Sequence, residues 1–168
     1  MSNIMLLYVG AVLFLNGLWI LGQIGDKEIS VINVFVGGAG LVLILLIVLQ
    51  GGNGNYLLAA QLLLFAFTYL WVAWNRYNGA DGRGLGWFSL FVAVTAAPTA
   101  LIVLSQANSV WLWWLGLSWV AWAVLWFMFF LLLALNKPIA RITGWVTLLE
   151  GILTAWLPAF LLLNGWIS

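Results

Sequence analysis

Histidine and cysteine are absent from this chain, and charge is scarce, at 5% of the residues. Without cysteine there are no disulfide staples and no thiol chemistry. Without either residue a zinc site loses its commonest ligands, and no imidazole titrates between pH 5 and 8. Soluble domains carry about a quarter charged residues, so five cations and four carboxylates in 168 residues leave no room for one. What is present instead is apolar, with 66% hydrophobic residues and 13 tryptophans. The expected class is an all-α integral membrane protein, a single six-helix unit over residues 1–168, with lipid as its solvent and no cofactor. A net charge of +1 gives no reason to expect a nucleic-acid partner. No Lys or Arg precedes the first apolar run, which argues against a cleaved signal peptide and for a retained first helix.

Six apolar segments long enough to cross ~30 Å of hydrocarbon are expected at roughly 3–22, 30–50, 56–75, 85–105, 110–135 and 142–166. The basic residues lie in or beside alternate connections: Lys27, then Arg76 and Arg83, then Lys137 and Arg141. The second and fourth connections, Gly-Gly-Asn-Gly-Asn and Gln-Ala-Asn-Ser, carry none. The positive-inside rule puts the first, third and fifth connections in the cytoplasm and both termini outside. Gly10, Gly17 and the cluster Gly37-Gly-Ala-Gly40 read as sites of close helix packing, within or between subunits.

In the fifth segment, Trp119, Trp122 and Trp126 fall within an arc of roughly 60° on one helix face. Three indoles in a row can face an interfacial belt, a neighbouring helix or a passage for solute. Trp122 and Trp126 sit deeper than a belt tryptophan would, so a passage wall is expected. In the first segment Leu6, Val9, Leu13 and Asn16 share an arc of roughly 80°. They suit a hydrophobic constriction edged by an amide, although spacing alone favours a helix seam with Asn16 bonded across it. In the third, Phe67, Trp71 and Trp74 form a second aromatic ladder that would face the first across a slot, with Tyr69 on another side as a helix contact. Glu150 is the one ionisable residue well inside a span, where a charge costs at least ~2–3 kcal/mol without water or a partner. It marks a functional site, or is bonded to backbone groups, Asn16 or Asn33. Thr154 stands one turn on and Pro158 a turn further, where a freed carbonyl would extend a polar stripe.

One carboxylate without a base, a second carboxylate or a metal constellation is a poor basis for enzyme chemistry. An aromatic and aliphatic lining is a poor basis for ion conduction. Indole faces do suit a flat neutral solute whose N–H groups a carboxylate accepts.

Leu6-Leu-Tyr-Val-Gly10 with Asn16-Gly17, Phe35-Val-Gly-Gly38, Phe67-Thr-Tyr-Leu70, Trp87-Phe-Ser-Leu-Phe-Val-Ala93, Trp119-Val-Ala-Trp-Ala-Val-Leu-Trp126 and Leu149-Glu-Gly-Ile-Leu-Thr-Ala-Trp156 occur in this order along nearly the whole chain. Together they resemble the urea channel and short-chain amide transporter family (AmiS/UreI). The resemblance implies a ring-shaped homohexamer in a bacterial inner membrane, each protomer with its own pore passing urea or short aliphatic amides down their gradient. It implies constrictions formed at Leu6, Val9, Leu13, Asn16, Phe67, Trp119, Trp122, Trp126 and Glu150. Trp71 stands where the acid-gated urea channels commonly have tyrosine, and Leu115 where they have a further tryptophan. Those channels also have longer outer loops bearing histidines and carboxylates. With short, uncharged outer loops here, the expectation is a passive channel feeding a cytoplasmic urease or amidase, not gated by external acid. A proton-coupled amide transporter using Glu150 is the alternative, and a structural or sensory subunit a more distant one.

Overall fold

The computed structural model describes residues 3–167. Six helices among them are long and apolar enough to span a membrane: α1 (Asn3–Ile20), α2 (Asp26–Gln50), α3 (Asn53–Asn78), α4 (Arg83–Ser105), α5 (Val110–Ala134) and α6 (Ala140–Leu163). The expected six segments are all present. Helices α2, α3 and α4 begin two to four residues earlier than expected, because Asp26, Asn53 and Arg83 still wind helically after their glycines. The α2–α3 connection shrinks to Gly51 and Gly52, both at positive φ (70° and 94°), a conformation that side chains disfavour.

The helices pack as three antiparallel pairs. Short connections force this for α2 with α3 and α4 with α5, while α1 pairs with the distant α6. Each pair approaches closely at glycine. A Cβ on Gly10 would lie 2.5 Å from the Trp156 backbone nitrogen, and one on Gly17 2.6 Å from that of Leu148. Gly37 and Gly40 meet α3 at Leu70 and Ala66, and Gly86 meets Ala134 of α5. Glycine packing therefore works inside the protomer, where lipid offers no hydrophobic drive and tight contact holds helices together.

Two helices depart from α geometry. Phe130–Ala134 at the end of α5 and Gly151–Trp156 within α6 are π-helical, a feature often found at functional sites. In α6 the Leu157 amide bonds the Ile152 carbonyl, five residues back. The next amide in that register belongs to Pro158, which has none, so the Leu153 carbonyl is left over. The Trp114 indole donates to it at 2.9 Å. The carbonyl freed near Pro158 is thus taken by a neighbouring helix.

Candidate functional site

The residues singled out on α1 and α5 come together at the centre of the bundle. Leu6, Val9, Leu13 and Asn16 form one buried face of α1, and Trp119, Trp122 and Trp126 one buried face of α5. The tryptophans therefore belong to neither an interfacial belt nor the lipid-facing surface. They surround a phenylalanine, with ring centroids 5.9, 5.1 and 4.9 Å from Phe65, all edge-to-face. That geometry sets positive ring edges on negative ring faces. Trp119 and Trp122 repeat it with each other at 5.1 Å.

The α3 residues expected opposite the tryptophans are a correction. Phe67 and Trp71 are 46% and 37% exposed, whereas Phe65 and Tyr69 are at most 1% exposed. Phe67 and Trp71 stand on the outer side of α3, and Trp71 leans on Phe88 of α4. Tyr69, two positions from each of them, is on the inner face. Aromatic residues line both faces of α3, so ring content cannot choose between them. Polarity could have: Thr68, Tyr69 and Asn75 share the buried side, and groups of this kind are disfavoured against hydrocarbon.

Hydrogen bonds hold the indoles. Trp122 Nε1 donates to Thr154 Oγ1 at 2.8 Å, and that hydroxyl donates on to the Glu150 carbonyl at 2.6 Å. Trp126 Nε1 reaches Thr68 Oγ1 at 3.4 Å. The Thr154 hydroxyl, expected in a polar stripe with Glu150 and Pro158, is therefore committed to the aromatic wall and to its own helix. Asn16 is bonded across the α1–α2 seam to Asn33, one of the two readings its position allowed. Glu150 is bonded to neither asparagine.

Two buried side-chain polar atoms have no hydrogen-bond partner among the described residues: the Tyr69 hydroxyl oxygen and Glu150 Oε2. Tyr69 lines a cavity of about 60 Å³ between α1, α3, α4 and α5, room for a few water molecules. Leu13, Asn16, Thr68, Ser89, Leu125 and Trp126 share its wall. Its far end reaches Trp19 and Arg76, where Trp19 Nε1 donates to Asp26 Oδ1 at 2.7 Å and the Arg76 guanidinium lies 5.3 Å above the Trp19 ring. Arg76 and Asp26 are 3.9 Å apart. An apolar, aromatic cavity with an unpartnered hydroxyl in its wall favours a small polar solute that can bond it, and offers no stepwise coordination for a bare ion. No group of three or more potential metal ligands occurs among the described residues.

Residues 1–166 match the model of a protein family described as AmiS/UreI family transporter. A Mycolicibacterium smegmatis protein named as a transporter of amidate substrates is 44% identical, covering 98% of this chain and 78% of that protein. An acid-activated urea channel of Helicobacter pylori is 34% identical over an alignment of 196 positions, covering 99% of this chain and all of that one. The crystal structure of the Helicobacter pylori urea channel superposes with a TM-score of 0.90 at 35% identity, over the full length of both chains. A cryo-electron microscopy structure of that channel in a closed state gives 0.86 at 35% identity, over 98% of each chain.

Proposed function

Because this chain belongs to the AmiS/UreI family of membrane transporters and is not an enzyme, we propose that it is a passive channel for urea or short-chain aliphatic amides. The observation that carries this reading is the buried aromatic cluster of Phe65 with Trp119, Trp122 and Trp126, in a bundle that also buries two side-chain oxygens without a partner, the Tyr69 hydroxyl and Glu150 Oε2. A planar amide can lie against indole faces while its carbonyl accepts from a hydroxyl and its N–H groups donate to a carboxyl oxygen. Hydrated ions would have to shed water against Leu6, Val9 and Leu13 with nothing to replace it. On this reading Leu6, Val9, Leu13, Asn16, Trp119, Trp122, Trp126 and Glu150 line the passage, joined by Phe65 and Tyr69. The basic connections face the cytoplasm of a bacterial inner membrane and both termini face outward. The permeant feeds a cytoplasmic urease or amidase, and the protomers assemble as a hexamer with one passage each.

We propose further that external acid does not gate it. The 196-position alignment with the Helicobacter pylori channel exceeds this chain's length. All six helices are present, so the extra residues of that relative fall most naturally in its connections. Here the outward connections carry no charge and the chain has no histidine. The second reading, a proton-coupled amide transporter, draws on the unpartnered Glu150 carboxyl.

Stopped-flow light scattering on proteoliposomes tests both. A channel conducts urea or acetamide above the empty-liposome rate, equally at an external pH of about 7.5 and about 5, and does not respond to a protonophore. Several-fold faster uptake at acid pH would overturn the ungated reading. Accumulation abolished by the protonophore would favour the coupled transporter.

A further inference from the structure

Asn33 is fully buried and touches no part of the cavity, yet it determines how Asn16 meets it. Its Nδ2 donates to the Ile29 carbonyl at 2.9 Å and to Asn16 Oδ1 at 2.7 Å, and its Oδ1 accepts from Asn16 Nδ2 at 3.2 Å. A backbone carbonyl can only accept, so Ile29 dictates which end of the Asn33 amide turns toward it. With the Asn33 nitrogen there, its oxygen faces Asn16, and only the Asn16 nitrogen can meet it. One helix carbonyl thereby sets the orientation of two amides in sequence. Asn16 keeps one N–H and one oxygen lone pair outside this reciprocal pair, and Asn16 is the member that lines the cavity.

We infer that Asn33 is a positioning residue for selectivity, which locks the Asn16 amide so that passing solutes meet a donor and an acceptor at fixed places. This rests on the channel reading above. A free Asn16 amide exchanges its oxygen and nitrogen by a half-turn, and a solute that offers its carbonyl to one side and N–H groups to the other is then no longer distinguished from one that lacks them. A pair that only stitched α1 to α2 would affect assembly and stability, leaving relative solute rates alone.

The test uses the full chain in proteoliposomes, with permeability measured for urea and for N,N′-dimethylurea, which keeps the carbonyl but has half the N–H groups. Asn33→Leu removes all three hydrogen bonds. Asn33→Asp keeps the shape but cannot donate to Ile29 while ionised, and serves if the leucine variant does not fold. Either is expected to reduce the urea-to-dimethylurea ratio by about fivefold, the factor one ordinary hydrogen bond commands. Asn16→Ala should produce a similar loss, and adding Asn33→Leu to Asn16→Ala should change the ratio no further, since Asn33 acts only through Asn16. Variants that scale both solutes equally would overturn the inference, as would ratio losses that multiply in the double variant. Absence of urea flux in the parent protein would instead sink the channel reading itself, which the parent measurement separates from these outcomes.

Discussion

Phe65 and Phe67 are two positions apart on α3, and truncating them should have opposite consequences. Phe65 is fully buried, with its centroid within 5.9 Å of three indole centroids. Replacing a buried phenylalanine by alanine costs about 3–5 kcal/mol where the surroundings cannot collapse. Rigid tryptophans pinned by Thr154 and Thr68 collapse poorly, so Phe65→Ala belongs near the upper end of that range. Three lost edge-to-face pairs, at about 0.5–1.5 kcal/mol each, are part of that figure. In a chain of this size the loss corresponds to a melting point lower by on the order of 10 °C. The void also widens the passage at its aromatic centre, so discrimination between urea and a bulkier solute such as butyramide should fall. Phe67 is 46% exposed, on the other side of α3 from the cluster, so Phe67→Ala should cost about 1 kcal/mol or less and leave relative rates unchanged. Thermal unfolding in detergent followed by size exclusion gives the stability arm, and proteoliposome light scattering gives the selectivity arm. If Phe67→Ala alters selectivity while Phe65→Ala does not, the inner face of α3 has been misassigned and the argument from the aromatic cluster fails.

Glu150→Gln should leave passive flux running, within a few-fold of the parent, because the amide still offers an oxygen where Oε2 has no partner. Complete loss of transport, with the protein folded, would point to proton coupling. Thr154→Val keeps the shape but strands the Trp122 N–H, now bonded at 2.8 Å. It should destabilise by about 1–3 kcal/mol, whereas Thr154→Ser should restore stability, both read from thermal melts. Gly10→Val places a branched side chain where even a Cβ would lie 2.5 Å from the Trp156 backbone. The α1–α6 pair should separate at a cost of several kcal/mol, seen as loss of monodisperse protein on extraction. The neighbouring Tyr8→Ala, at an exposed position, should extract normally.

Much of the architecture was legible along the chain, for reasons specific to membranes. Hydrocarbon requires each span to satisfy its own backbone, so six apolar runs of sufficient length could only be helices. Lys27, Arg76, Arg83, Lys137 and Arg141, all in or beside alternate connections, are the basis of the orientation proposed above. The faces of α1 and α5 were readable too, because Leu6–Val9–Leu13–Asn16 and Trp119–Trp122–Trp126 recur at helical spacing and each includes a residue poorly suited to the lipid core. On α3 that logic failed, since Phe67, Trp71 and Trp74 are as regularly spaced as Phe65 and Tyr69, and in a lipid solvent both faces are free to be aromatic. Only packing against α5 decides between them. The same holds for Glu150, Thr154 and Asn16. The polarity of each announces a partner or a purpose, but which atom is paired depends on contacts between helices far apart in sequence. Tertiary structure gave Thr154 to Trp122 and Asn16 to Asn33, and left Tyr69 and Glu150 each with an unpartnered oxygen.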